Sequence, residues 1–129
     1  LAGSSAASDV YKRQALDEMY RILKYNGISI LQVPINVERE NTFEDLSIKS
    51  KIQREKYFGQ YDHVREYGLD FKDRVEQAGF KVEMINYSTK ISQDLVIKYG
   101  LMKDELIPIG KKLGLVQHIK FLTQMKENP

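Results

Sequence analysis

A helical pattern that runs through Asn-Gly straight into an apolar strand constrains this chain more than any other feature. In the segment ALDEMYRILKYNG, four apolar side chains recur at the spacing of one helix face: Leu16, Met19, Tyr20 and Leu23. Lys24 lies in the last turn, and Asn26-Gly27 offers the left-handed residues that end a helix. We therefore predict an amphipathic helix from Ala15 that ends at Gly27.

The next segment, ISILQVPIN, is typical of a largely buried strand. Five of residues 28–35 are Ile, Leu or Val, and continuous apolar content of this kind favours a strand that is covered on both faces. Pro34 closes the strand, because proline cannot donate to a ladder. A helix that leads into a buried strand is half of an α/β unit, so we predict an α/β fold.

The same order returns in LDFKDRVEQAGFKVEMINY. Three apolar residues share one helix face: Phe71, Val75 and Ala78. Asp70 is placed to cap the first turn, and Gly79 is placed to end the helix. Val82 and Met84 then alternate with charged residues, which predicts a second strand.

The remaining segments set the boundaries of the predicted domain. Residues 36–57 favour one or two short helices, and DELIPIGKK has strand-like apolar content with Pro108 inside it. Residues 1–14 lack periodicity and resemble translated library sequence at the end of a truncated reading frame. We expect a flexible or artefactual tail in 1–14, a domain in 15–112 and a terminal amphipathic helix in 113–129.

Composition narrows the classes of function. The chain has 20 basic and 18 acidic residues and a net charge of +2, without a basic block, so we expect no nucleic-acid partner. Its apolar runs are too short to span a bilayer, so we expect no membrane partner. The lack of cysteine excludes disulfides and thiolate metal sites, and we expect a cytoplasmic protein. Glu38 and Glu40 have no third ligand at a recognisable spacing, so we expect no metal site.

Four segments resemble the C-terminal half of class I S-adenosylmethionine-dependent methyltransferases, and in particular the small bacterial-type enzymes often called type 11. ALDEMYRILKYNG resembles the helix before the family's fifth strand, with Tyr25-Asn26 in place of the usual Pro-Gly, and ISILQVPIN resembles that strand. FGQYDHVREYGLDF resembles the polar loop before the last large helix, and RVEQAGFKV resembles that helix with the sixth strand. The likeness covers residues 15–106 and implies the last strands of a mixed, Rossmann-like sheet with flanking helices.

The resemblance implies methyl transfer from S-adenosylmethionine to a small-molecule acceptor. In the family, a glycine-rich turn and an acidic strand end hold this cofactor, because glycine lets the backbone approach a ligand and a carboxylate accepts from ribose hydroxyls. This sequence contains no Gly-x-Gly, so we assign no cofactor-binding residue and expect an incomplete enzyme. We also expect poor folding, since the strand at 28–34 would expose an apolar edge.

The family's seventh strand lies antiparallel between the fifth and sixth strands. DELIPIGKK is the segment of this chain that could supply it. Pro108 would remove a ladder donor there. We therefore expect either that pairing stops before Pro108 or that this end of the chain departs from the family pattern.

The stretch FGQYDHVREYG, residues 58–68, carries the densest group of polar and aromatic side chains. It offers donors, acceptors and one group that titrates near neutral pH. Since the resemblance implies the acceptor side of the site, we predict His63 as a catalytic base or orienting group. The predicted substrate-binding residues are Gln60, Asp62, Arg65 and Tyr67.

Simpler interpretations of these residues stay open. Asp62 and Arg65 would pair with each other, and His63 would be a structural hydrogen-bonding residue, because a long loop needs partners for its backbone. The chain as a whole would be a non-catalytic α/β binding module whose helix at 115–126 docks a partner or covers a sheet edge. A third interpretation is an enzyme whose site lies entirely in this chain, centred on His63.

Overall fold

Helices and short strands alternate along the chain, which is mixed α/β as the sequence predicts. The computed structural model describes residues 4–127, with side chains from residue 12 onward. In this part of the chain the helices are α1 (Ser4–Ile22), α2 (Lys51–Phe58), α3 (Phe71–Glu76), α4 (Gln93–Lys98) and α5 (Leu115–Glu127), with a 3-10 turn at Tyr87–Thr89. The strands are β1 (Ile28–Ile30), β2 (Phe43–Glu44), β3 (Arg65–Glu66), β4 (Lys81–Ile85) and β5 (Ile107–Lys111).

The main sheet has three strands in the order β1-β5-β4. The last strand in sequence, β5, lies between the other two and is antiparallel to both, so β1 and β4 run parallel to each other. Ile109 pairs with Ile30 on one side and with Glu83 on the other. A separate antiparallel pair, β2 with β3, joins the polar stretch to the segment before α2.

Pro108 lies within β5 and is paired there, so the expectation that pairing stops before it is wrong. It pairs with Met84 of β4, and its carbonyl accepts from the Leu31 amide at 2.9 Å. In an antiparallel ladder the N–H and C=O of one residue point to the same side. The nitrogen of Pro108, which carries no hydrogen, therefore faces Leu31, just after β1 ends at Ile30. The sheet loses only one hydrogen bond, at the end of the ladder.

One face of the sheet carries the core. Val75 and Phe80 are completely buried, and Leu31 and Val82 contribute from the strands. The apolar face of α1 packs against this cluster, and the Tyr20 ring meets the Phe80 ring edge-on at 5.1 Å between centroids. The predicted face of α3 is thus buried, and Leu16, Tyr20 and Leu23 of the predicted α1 face pack on the core, whereas Met19 of that face is 42% exposed.

The other face of the sheet is open. Ile28 and Ile30 are 59% and 65% exposed, whereas the adjacent Leu31 is 8% exposed. The prediction of a largely buried strand is therefore wrong for alternate residues of β1, because among the described residues only one side of this strand has helices packed against it. The exposed apolar edge that the sequence analysis expects is confirmed.

Helix ends also differ from the prediction. α1 begins at Ser4, ahead of the predicted Ala15, so residues 4–14 of the expected tail lie within it. It ends at Ile22, before the predicted Gly27, and Asn26 adopts the predicted left-handed conformation at φ 65° in the turn that follows. Asp70 precedes α3 without a side-chain cap bond. Its carboxylate instead accepts from the backbone amide and the hydroxyl of Thr42, at 2.8 and 2.6 Å.

The terminal helix lies where the sequence places it. α5 spans Leu115–Glu127, and no residue of it is buried. Among the helices described in residues 4–127, none combines the length and the apolar character that a membrane crossing needs.

Candidate functional site

A cleft of about 990 Å³ opens where β1 ends and β5 begins. Because these strands are antiparallel neighbours, the carboxyl end of β1 and the amino end of β5 meet at one edge of the sheet. Three chain segments and one lysine line the cleft: residues 33–38, residues 58–60 with 62–67, residues 102–105, and Lys12. The volume is in the range of small-molecule sites.

All five residues predicted for the site line this cleft: Gln60, Asp62, His63, Arg65 and Tyr67. They arrive there together because the stretch that carries them leaves α2 at one end and enters β3 at the other. Their grouping agrees with the sequence analysis, while their roles stay predictions.

The polar stretch is held at both ends by backbone bonds. Gly59 ends α2 in the left-handed region at φ 83°, and its amide donates to the Glu55 carbonyl at 3.1 Å. At the far end, the Tyr67 carbonyl accepts from the Asn36 amide at 2.8 Å. A Cβ on Gly68 would lie 2.7 Å from the Asn41 carbonyl carbon, so glycine is required there. The stretch is thus a shaped wall of the cleft.

His63 is half-buried, and its ring is oriented by the end of α2. The Nδ1 atom lies 3.3 Å from the Phe58 carbonyl oxygen, an atom that can only accept. This contact is a hydrogen bond when Nδ1 carries the proton, which leaves the lone pair of a neutral imidazole on Nε2. The arrangement suits a base, and it also satisfies the simpler interpretation of a structural hydrogen bond.

Arg65 lies deeper than the sequence suggests. It is 5% exposed, and its Nη1 atom lies 3.2 Å from Oε1 of Glu44, the residue on β2 that faces it in the register of β2 and β3. Arg65 thus has a carboxylate neighbour from β2, and the alternative of a pair between Asp62 and Arg65 stays open. Burial and pairing make Arg65 a fixed positive charge in the wall of the cleft.

Tyr67 stands between two clefts. Its ring meets Phe71 edge-on at 4.8 Å between centroids, and its hydroxyl accepts from the Lys12 ammonium at 3.0 Å. It also lines a smaller cleft of about 570 Å³ between α1 and β1. A ring fixed on both sides can provide a flat contact surface for a ligand.

Gln60 and Asp62 are exposed at the mouth of the cleft. The Gln60 carbonyl accepts from the His63 amide at 3.2 Å, which forms a turn that faces both side chains toward solvent. They are positioned to contact a polar ligand at the mouth. Each such contact contributes little to binding affinity, because the ligand must first displace the water that hydrates these side chains.

Sequence reasoning missed the third wall of the cleft. Residues 102–105 supply Lys103, Asp104 and Glu105. The Glu105 carboxylate accepts from the side-chain amide of Gln32 at 2.8 Å. No local pattern marks these residues as functional, because the pairing of β5 with β1 brings them to the site. Glu38 also lines the cleft, whereas its neighbour Glu40 does not.

The described residues contain no group of three or more His, Asp or Glu side chains placed to hold a metal ion. The chemistry that the cleft offers is therefore that of an oriented imidazole, a fixed guanidinium, amide and carboxylate groups and an aromatic wall. These groups suit a small polar ligand with a hydroxyl or amine to be oriented and deprotonated. Among known proteins, no family model, curated protein or solved structure matches this chain.

Proposed function

We propose that this chain forms the acceptor side of an S-adenosylmethionine-dependent methyltransferase that acts on a small molecule. The observation that carries the proposal is the order and direction of the main sheet. β1 and β4 run parallel, and β5 is inserted antiparallel between them. The resemblance found in the sequence implies this arrangement for the last three strands of the family.

The position of the cleft supports the same proposal. In α/β proteins, ligands bind beyond the carboxyl ends of parallel strands. The cleft lies beyond the carboxyl end of β1, and the residues predicted from the polar stretch line it. A site assembled by chance from surface loops would have no reason to lie at this edge of the sheet.

The open edge of β1 supports it as well. β1 pairs with β5 on one side, and no strand of the described part of the chain pairs with its other side. Ile28 and Ile30 present apolar side chains beside that edge. Proteins rarely leave an apolar, uncharged edge strand exposed to solvent. The open edge of β1 therefore fits a sheet in which further strands pair with it.

We assign no cofactor-binding residue to this chain, because its sequence contains no Gly-x-Gly. When bound to a complete enzyme, the cofactor would supply an activated methyl group. The role that we propose for this chain is restricted to the acceptor.

Within that role, His63 accepts the proton that the acceptor hydroxyl or amine loses, at Nε2. The Phe58 carbonyl holds the ring in the required tautomer through Nδ1. Arg65 and Tyr67 form the fixed wall against which the acceptor lies, and Asp62 and Gln60 orient its polar groups from the mouth. Alignment of the acceptor and exclusion of water are the main contributions that a protein makes to a displacement of this kind.

The first experiment is to sequence the source template upstream of the codon for Ala15. We expect an in-frame strand, a glycine-rich turn and helix, and then a strand that ends in an acidic residue. The extended protein is then expressed, and binding of S-adenosylmethionine is measured by calorimetry with residues 1–129 as the control. Binding by the extended protein alone supports the proposal, whereas a start codon next to Leu1 without such elements contradicts it and favours the non-catalytic module.

The role of His63 is tested in the same extended protein. His63→Ala is expected to lower kcat for a methyl acceptor about 100-fold or more while cofactor affinity stays unchanged, as for loss of a general base. His118→Ala is the matched control, because His118 lies on α5, outside the cleft. Equal activity of the two variants would leave His63 with a structural role.

A further inference from the structure

The segment that ends the described chain combines two properties that the proposed function does not use. Residues 111–127, KKLGLVQHIKFLTQMKE, contain four lysines and one acidic residue, Glu127. Five large apolar side chains of α5 are more than 40% exposed: Leu115, Val116, Ile119, Leu122 and Met125. A basic amphipathic helix with an exposed apolar face is typical of segments that lie on membrane surfaces.

The exposed apolar residues of α5 form a broad band. At 100° per residue, the side chains from Met125 through Leu122 and Ile119 to Val116 cover about half of the helix circumference. A coiled-coil seam is narrower than this. The band runs along about 20 Å of helix, since α5 has 13 residues. An isolated helix of this length is marginal in water, so α5 depends on packing against another surface.

The inner side of α5 is already in contact with the body of the protein. Leu113, just before the helix, is buried, and Phe121 is half-buried. The Nδ1 atom of His118 lies 3.4 Å from the Tyr20 hydroxyl. A partner that wraps around the helix, such as a groove in an acidic protein, would collide with α1. A flat surface would contact only the outer half of the helix.

The charges around the band complement an anionic surface. Lys111, Lys120 and Lys126 are exposed before, beside and at the end of the apolar band. Lys112 is engaged elsewhere, since it donates to the Tyr20 carbonyl at 2.8 Å. These charges oppose a parallel second copy as partner, because a parallel pair of α5 helices would set Lys126 of one copy beside Lys126 of the other.

We propose that α5 lies on the surface of an anionic phospholipid bilayer, with its outer apolar band in the interface and its lysines at the head groups. The sequence analysis excludes a membrane partner because no segment can span a bilayer, but a helix that lies in the interface needs only one apolar side. Lysine stems are long enough to keep their ammonium groups at the head groups while the helix is inserted. The inference does not depend on methyl transfer, so either proposal can fail alone.

The test is co-sedimentation of residues 1–129 with vesicles of phosphatidylcholine alone and of phosphatidylcholine mixed with phosphatidylserine. We expect binding to the anionic vesicles that falls as salt is raised, and weak binding to the neutral ones. Lys120→Gln with Lys126→Gln should lower the partition coefficient about 5-fold per lysine. The matched control is Lys49→Gln with Lys90→Gln, two exposed lysines outside α5, and it should bind like the parent.

The apolar contribution is tested by Ile119→Ser, which should lower partitioning about 10-fold. Its control is Ile52→Ser, at an isoleucine of α2 that is 81% exposed. Circular dichroism of each variant confirms that the fold is kept, which is expected because both sites are exposed. Three results would overturn the proposal: equal binding to both kinds of vesicle, no binding by the folded parent protein, or self-association that Ile119→Ser abolishes without any vesicle binding.

Discussion

The two faces of the main sheet both carry large aliphatic residues, but their surroundings are opposite. On one face, Leu31 and Val82 are buried beneath the helices together with Phe80. On the other, Ile28 and Ile30 are more than half exposed, although they are as apolar as Leu31. The difference teaches that an apolar strand residue is buried only where another element of the fold is available to cover it. An apolar strand that stays exposed therefore marks a surface where a further layer or strand would be stabilising.

The largest expected effect contrasts one residue from each face. Phe80→Ala should lower the free energy of unfolding by about 3–5 kcal/mol, because it leaves a cavity at a side chain that is fully buried. Ile30→Ala should change it by less than about 0.5 kcal/mol, because little apolar area is buried there. Urea unfolding of both variants gives the comparison. Equal losses of unfolding free energy would contradict the contrast between the two faces, since they would mean that the outer face is covered in solution.

A smaller effect is expected where the central strand β5 approaches the core through Gly110. A Cβ on Gly110 would lie 2.8 Å from a ring carbon of Phe80 and 3.3 Å from a methyl carbon of Leu31. Gly110→Ala should therefore cost about 1–3 kcal/mol through overpacking of the covered face. Gly114→Ala is the control, because its nearest neighbours are 3.9 Å away. Similar unfolding midpoints for both variants would show that the covered face is less tightly packed than described.

The open face can be changed without affecting the core. Ile30→Lys should leave the unfolding midpoint within about 0.5 kcal/mol of the parent and should slow aggregation at high protein concentration, since a lysine on an edge strand opposes pairing between molecules. Light scattering over time measures the effect, with Ile97→Lys as control at an isoleucine of α4 that is 71% exposed. A control as effective as Ile30→Lys would assign the effect to net charge alone.

The smallest effect concerns pH at the covered face. Burial, with a further contribution from Tyr25, raises the pKa of Tyr20 above its ordinary value. The folded protein therefore holds this proton more tightly than the unfolded chain does. Its contribution to stability is complete below the ordinary pKa of about 10 and is lost as the pH rises through the raised value. Tyr20→Phe should flatten that alkaline loss, measured as the unfolding midpoint against pH. Tyr87→Phe, at an exposed tyrosine, should behave like the parent.

Local patterns predicted most of the elements and their buried faces. The helical spacing of Leu16, Tyr20 and Leu23 and the alternation in β4 are properties of neighbouring residues, so they survive whatever the rest of the chain does. The polar stretch could be found for the same reason. Its grouping at one cleft also agrees with the sequence, because all five residues lie on one connection between two elements.

Other features depended on residues far apart in sequence. Pro108 could be paired because its missing donor faces the end of β1, a match between segments about 80 residues apart. Asp70 does not cap α3, because its carboxylate accepts from the backbone amide and the hydroxyl of Thr42. Arg65 lies beside Glu44 because β3 pairs with β2. None of these partners can be read from the sequence around the residue concerned.

The sequence by itself determined most of the helices and strands, which of their sides are apolar and which polar stretch lines the cleft, since periodicity and turn residues act over a few positions. Only the tertiary structure decided which apolar sides are covered, how β5 joins β1 to β4 and which distant segment completes the cleft. Those outcomes depend on contacts between segments far apart in sequence, because the neighbours of a surface in the fold decide whether it is buried and hydrogen-bonded.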